Sequence, residues 1–191
     1  MGTVSEVQLK FEEGEELTCT ITFLLSNEAT LLLCYSHPIG AGGNRTLVGK
    51  LRSDLFSRAS RTILDHPLVE SVRALWIRGG GLLAADPKLA ANDVGSLFGS
   101  MGPLDKLCLD ACDLRPYLDP FLETPLFPDL IQPTSIPPVK ELTIINPIQS
   151  LCHNDAYAAA VVKLAKSQHT RGMPFDHVRL KHWSLTAWLR N

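Results

Sequence analysis

The residues best suited to chemistry in this chain are its cysteines, its histidines and a few glycine-rich stretches, and their spacings speak against catalysis. Cys108 and Cys112 stand four apart, but Cys108 belongs to Leu107-Cys108-Leu109. Alternation along a strand sends Cys108 away from its two leucine neighbours, while the Cys112 slot turns inward. That separation does not make a metal pair. His177 and His182 differ by five, an odd number that places them on opposite faces of a strand. Gly43-Asn-Arg-Thr-Leu-Val-Gly49-Lys50-Leu51 approximates a phosphate-binding loop and fails twice. Its glycines are one residue too far apart, and Leu51 replaces the hydroxyl that would bind magnesium. Gly79-Gly80-Gly81 follows an apolar run but lacks the spaced dinucleotide fingerprint, so it reads as a turn. There is no G-x-S-x-G elbow and no H-E-x-x-H helix, and the carboxylates are scattered. The expectation is a chain with no catalytic residue, no metal and no cofactor; an enzyme of unspecified type is the weakest alternative.

The elements that position these residues follow one template, that of a leucine-rich repeat. Leu104-x-x-Leu107-x-Leu109-x-x-Cys112-x-Leu114 fits at every position. Phe175-x-x-Val178-x-Leu180-x-x-Trp183-x-Leu185 fits with Trp in the Cys/Asn slot. Val72-x-x-Leu75-x-Ile77 continues to Gly80 and Leu82, and Val139-x-x-Leu142-x-Ile144 to Pro147 and Gln149. The second apolar positions, Leu75, Leu107, Leu142 and Val178, are 32, 35 and 36 residues apart. Units in this class usually run about 20–29 residues, so the longer spacing leaves room for a helix between strands. No such unit buries its apolar face alone, so the units stack. The expected fold class is therefore α/β: a leucine-rich-repeat-like solenoid of about four strand–helix units with parallel strands, preceded by an N-terminal β segment. A conventional α/β domain with several L-x-L strands is the competing reading.

Composition agrees with one globular domain spanning 1–191, and 45% of the residues are hydrophobic against 20% charged. A formal net charge of −2 favours neither nucleic acid nor an anionic membrane. Met1 to Glu6 carries no apolar signal-peptide core, and Glu6 stands where a myristoylation site wants Ser or Thr. No apolar run reaches the length of a membrane span. Five cysteines without framework spacing suit a reducing compartment, so the expected location is cytoplasmic or nuclear. Asn44-Arg45-Thr46 matches a glycosylation sequon and is read as chance.

Residues 5–35 differ from the rest. Val7, Leu9 and Phe11 alternate with polar residues, and so do Leu17, Cys19, Ile21 and Phe23. Ser26-Asn27 reads as a turn and Thr30 to Tyr35 as a further strand. Two readings stand side by side. The segment is an antiparallel meander that covers the open edge of the first repeat, or Val4-x-x-Val7-x-Leu9 is itself a divergent repeat. The repeat-like units then occupy 46–191. A helix is expected from about Thr46 to Leu64, with Leu47, Leu51, Leu55 and Ala59 on one stripe and Pro67 ending the run. The next return segment starts at Asp86-Pro87 or at Asn92-Asp93. Pro116 and Pro120 restrict the third to short helical turns, and a proline-rich loop, Pro125 to Pro138, follows it. The clearest helix starts at Asn154-Asp155 and stops at Gly172, with Tyr157, Ala160, Val161 and Leu164 buried. Only Ser184 to Asn191 follow the last strand, which makes the chain look like a piece of a longer array whose apolar end self-associates.

Several phrases carry a resemblance: Leu64-Asp-His-Pro-Leu-Val-Glu-Ser-Val72, Leu75-Trp-Ile-Arg-Gly-Gly-Gly81, Asn92-Asp-Val-Gly95, Gly99-Ser-Met-Gly-Pro-Leu-Asp-Lys-Leu107 and Ala158-Ala-Ala-Val-Val-Lys-Leu-Ala-Lys-Ser-Gln168. Over residues 5–183 the chain loosely resembles the C-terminal region of F-box/leucine-rich-repeat-like proteins of mushroom-forming fungi. The resemblance implies that the repeats hold a substrate for ubiquitination, while an F-box module docks a Skp-type adaptor of a cullin ligase. The first 50 residues depart from that pattern, because they contain no Leu-Pro-x-Glu-type F-box and read as strands. The expectation is a non-enzymatic protein-binding module that recruits no adaptor directly; the alternative is a fragment or remnant without a retained partner.

The template also assigns a binding surface on the outward positions of the four strands. The first row is Ala74, Lys106, Glu141 and His177; the second is Trp76, Cys108, Thr143 and Arg179; the third is Arg78, Asp110, Ile145 and Lys181. Neighbouring strands lie about 4.8 Å apart, so Lys106–Glu141 and Arg78–Asp110 are the expected ion pairs. Trp76 is the expected hot spot, unless the Gly79–Leu83 loop covers it. Truncating Leu107 or Leu109 to Ala should cost roughly 2–5 kcal/mol, whereas an outward Cys108 should tolerate Ala.

Overall fold

The computed structural model describes residues 3–39, 45–65, 71–79, 94–111, 114–118, 121, 136–145 and 154–181. It begins with three strands, β1 (Val4–Glu13), β2 (Glu16–Leu25) and β3 (Thr30–Pro38). Helix α1 (Arg45–Leu64) and strand β4 (Ala74–Arg78) follow. A helical run over residues 94–99, here α2, precedes β5 (Leu104–Asp110). Then come α3 (Arg115–Leu118), β6 (Val139–Ile145), α4 (Asn154–Thr170) and β7 (His177–Lys181). All seven strands form one sheet in the order β3-β2-β1-β4-β5-β6-β7. The pairings from β1 through β4, β5 and β6 to β7 are parallel, and those within β1-β2-β3 are antiparallel. The fold is thus α/β, built on a mostly parallel sheet.

The apolar alternation sets the register. Leu75 pairs with Leu107, Leu107 with Leu142 and Leu142 with Val178, and the next inward row runs Ile77, Leu109, Ile144 and Leu180. A slip of one residue would turn each of these side chains to the other face. The inward rows are buried from β2 to β6 and share one cluster with Leu55, Phe56, Ala59 and Ile63 of α1. Val94, Leu97 and Phe98 of α2, Tyr117 and Leu118 of α3, and Tyr157, Ala160, Val161 and Leu164 of α4 belong to the same cluster. The helices therefore cover one side of the sheet. On β7, Val178 and Leu180 face this side but remain 38% and 43% exposed, so the core thins out at that edge.

The N-terminal segment joins the same sheet. β1 pairs parallel with β4, Val7 with Leu75 and Leu9 with Ile77. β2 and β3 then fold back antiparallel beyond it and cover its outer edge. The sheet edge is displaced by two strands rather than removed. α1 and α4 match the helices expected from the periodicity, and four-residue α3 the short turn around Pro116. At the end of α4 the Gly172 N–H donates to the His169 carbonyl and that of Met173 to Gln168, with Gly172 at φ 75°. That is a glycine stop at the predicted position. The expected starts at Asp86 and Asn92, the Cys112 slot, and the segment from Trp183 to Leu189 lie outside the described residues. Among those described, no helix is long and apolar enough to cross a membrane.

The exits of β4 and β5 share one geometry. Arg78 pairs with Asp110, and the next residues, Gly79 and Ala111, both have left-handed backbone, φ 67° and 51°. The Gly79 N–H donates to the Asp110 carbonyl, and the Ala111 N–H to the Ile145 carbonyl, each at 2.9 Å. Each strand thus ends on a bond to the next strand. At Gly79 a Cβ would stand 2.2 Å from the Phe11 carbonyl oxygen of β1. Gly79→Ala therefore combines a positive-φ penalty of about 1–3 kcal/mol with a backbone clash. Ala111→Gly relieves strain at the matching position and should leave stability within about 1 kcal/mol of the parent. Urea denaturation of the two variants checks this; equal losses would break the equivalence of the two exits.

Candidate functional site: the open face of the sheet

The side of the sheet opposite the helices carries the outward rows. All three assigned rows form as expected: Ala74 with Lys106, Glu141 and His177; Trp76 with Cys108, Thr143 and Arg179; Arg78 with Asp110, Ile145 and Lys181. β1 and β2 extend them. Glu6, Gln8 and Lys10 lie beside Ala74, Trp76 and Arg78, and Leu24, Thr22 and Thr20 lie beyond. The sequence assignment covers only β4 to β7; the strict alternation of β1 and β2 was the available signal for the extension.

One expected ion pair forms and the other does not. Arg78 Nε lies 3.2 Å from Asp110 Oδ2. Lys106 turns from Glu141 toward β4 instead, its Nζ 4.7 Å from the centroid of the Trp76 ring. An indole face holds an ammonium by about 0.5–1 kcal/mol at such sites and shields more apolar surface than a carboxylate partner would. Trp76 is half-buried rather than freely exposed, and its Nε1–H has no hydrogen-bond partner among the described residues. On the neighbouring strand Gln8 Nε2 donates to Glu6 Oε1 at 2.7 Å, and Lys10 Nζ reaches Glu12 at 2.7 Å.

Cys108 is outward in register, as expected, but it is not exposed. It points away from the helices and stays outside the main core cluster, yet its relative exposure is 0%. Its row neighbours are Trp76 and the buried Thr143, and a two-atom side chain sinks between them. Burial, with Asp110 adding, pushes its thiol up to about 11. Cys19, on the core side of β2, is pushed up to about 12 by burial and then by Cys34. Both thiols are therefore mostly protonated at neutral pH, which weakens them as nucleophiles. Among the described residues no cluster of His, Cys, Asp and Glu fits a metal ion.

Charge on this face is uneven. Around β1, β4 and β5 acidic and basic groups are interspersed and partly paired. On β7 His177, Arg179 and Lys181 are all exposed, and no described ion pair includes them. The open face thus has a covered centre at Trp76, Lys106 and Cys108, flanked on one side by a free basic strip.

A second feature went unread in the sequence. The residues just before the first row are Arg73, Asp105, Lys140 and Asp176, with charge alternating from strand to strand. Backbone bonds extend the ladder through them, from Asp105 N–H to the Arg73 carbonyl (2.7 Å) and from Asp176 N–H to the Lys140 carbonyl (2.8 Å). Lys140 Nζ bridges Asp105 Oδ1 at 2.7 Å. That bond, with Asp176 adding, raises the Lys140 pKa, and Arg73 opposes. A cavity of about 560 Å³ lies along this rim, with Pro103, Pro138, Pro174 and Met173 among its walls. The signal was in the template: its second slot reads Arg, Asp, Lys, Asp. Comparison with protein-family models, curated proteins and solved structures yielded no match.

Two predictions follow from the thiols. Against the ordinary value of 9.0, both buried thiols are raised. Their contribution is fully present below the unfolded value and is lost as pH climbs through about 11 and 12. Above pH 9 the parent should therefore lose stability faster than Cys19→Ala, by on the order of 1 kcal/mol per pH unit; parallel stability–pH curves would refute this. In a Cys112→Ser/Cys152→Ser background, maleimide should modify exposed Cys34 quickly and Cys19 and Cys108 only on unfolding. Fast modification of Cys108 would show that it is exposed.

Proposed function

We propose that the chain is a non-enzymatic protein-interaction module that takes its partner on the open face of the sheet. The observation that carries this reading is the four-strand register, which gathers Trp76, Lys106, Arg78 and Arg179 onto a side that no described helix covers. In this reading the units are leucine-rich-repeat-like and stack as a solenoid. The agreement of strand order with chain order from β4 to β7 supports it, as do the matching exits at Gly79 and Ala111. The inherited role is substrate recognition for ubiquitination, as the resemblance to fungal F-box proteins implies. The His177, Arg179 and Lys181 strip favours a partner segment of acidic character.

Affinity purification of the tagged chain, read by mass spectrometry, tests this. A specific protein should be held by the parent and lost from Trp76→Ala and Arg179→Glu variants of unchanged melting temperature. A buried aromatic anchor is worth about 2 kcal/mol or more, roughly a thirtyfold loss in Kd. Co-purification of a Skp-type adaptor supports the ligase role. A specific partner without it supports a free module, and no specific partner overturns the proposal in favour of a remnant.

A further inference from the structure

The sheet ends in two edges of unlike chemistry. β7 is short and carries His177, Arg179 and Lys181. Basic side chains on a short strand are a standard defence against edge pairing. β3 is nine residues long, Thr-Leu-Leu-Leu-Cys-Tyr-Ser-His-Pro, with no Asp, Glu, Lys or Arg. Thr30 to Tyr35 combines strong β-propensity with no charge and no proline, the composition that pairs with its own kind. β3 is paired on one side only, to β2, and among the described residues no strand meets its other edge. Leu31 and Leu32 are 44% and 59% exposed, on opposite faces of that edge.

We propose that β3 is the self-association edge of this protein, where a second copy adds its own β3 antiparallel about a two-fold axis at Cys34. The axis position follows from length, because Cys34 is the midpoint of Thr30–Pro38 and pairing about it overlaps the two strands fully. Leu33 then lies opposite Tyr35 of the other copy and Leu32 opposite Ser36, with no like charges brought together. An aliphatic–aromatic cross-strand pair of this kind is favourable. A hollow of about 270 Å³ between β3 and α1, bordered by Tyr35, His37, Leu51 and Leu55, gives room for the added side chains. The same operation at β7 would set Arg179 against its copy, and β3 on β7 would leave edges open and grow filaments. The β3 pairing closes at two copies and leaves Trp76 and the basic strip, several strands away, free for another partner.

An interface of one strand pair is small, so a dissociation constant on the order of micromolar is expected. Sedimentation equilibrium of the full chain should show a monomer–dimer equilibrium. Leu32→Lys, at an exposed site, should weaken it at least about tenfold without lowering the melting temperature, whereas Leu180→Lys at β7 should leave it unchanged. A short bis-maleimide should join two copies through Cys34, as peptide mapping reads. Monomer at every concentration, a dimer indifferent to Leu32→Lys but broken by Leu180→Lys, or no Cys34–Cys34 cross-link within the dimer each overturns the proposal.

Discussion

Everything in this molecule depends on one side of a parallel sheet being buried while the other is not. A strand covered by helices on one side has two kinds of position. Leu75, Leu107 and Leu142 at 0–1% exposure show how completely the inward kind is used. Because that requirement repeats on strand after strand, the strands align and the outward residues have no freedom of register. Glu6, Ala74, Lys106, Glu141 and His177 share a row because the leucines and valines next to them must share one. The outward surface is thus a by-product of the core.

This arrangement separates two tasks. The inward rows carry stability, and their residues are nearly all aliphatic. The outward rows carry chemical variety: an indole under an ammonium, an ion pair across β4 and β5, a basic strip on β7. Thermodynamic stability comes mostly from apolar burial, so outward residues vary at small cost to the fold. Cys108 and Thr143 are the exceptions, because they lie at the centre of the face and are buried there.

The parts legible in the sequence were those governed by short periods. Period two placed β4 to β7 and their rows, and i+4 spacing placed α1 and α4. Burial on the open face was illegible, because alternation states which way Cys108 points and not how tall its neighbours stand. The partner of Lys106 was missed for a related reason: charge complementarity pointed to Glu141, while a flexible stem reached an aromatic face just as near on the other side. That β1 pairs with both β2 and β4 was illegible, because alternation does not state which neighbours a strand's two edges meet. The rim charges were less legible because the apolar slots of the template set the register, while the polar slots between them carry no period of their own.

The alternation Arg73, Asp105, Lys140, Asp176 constrains which strands can be neighbours. Without β5, Arg73 would lie beside Lys140; without β6, Asp105 would lie beside Asp176. The rim charges thus favour the observed strand order over either omission.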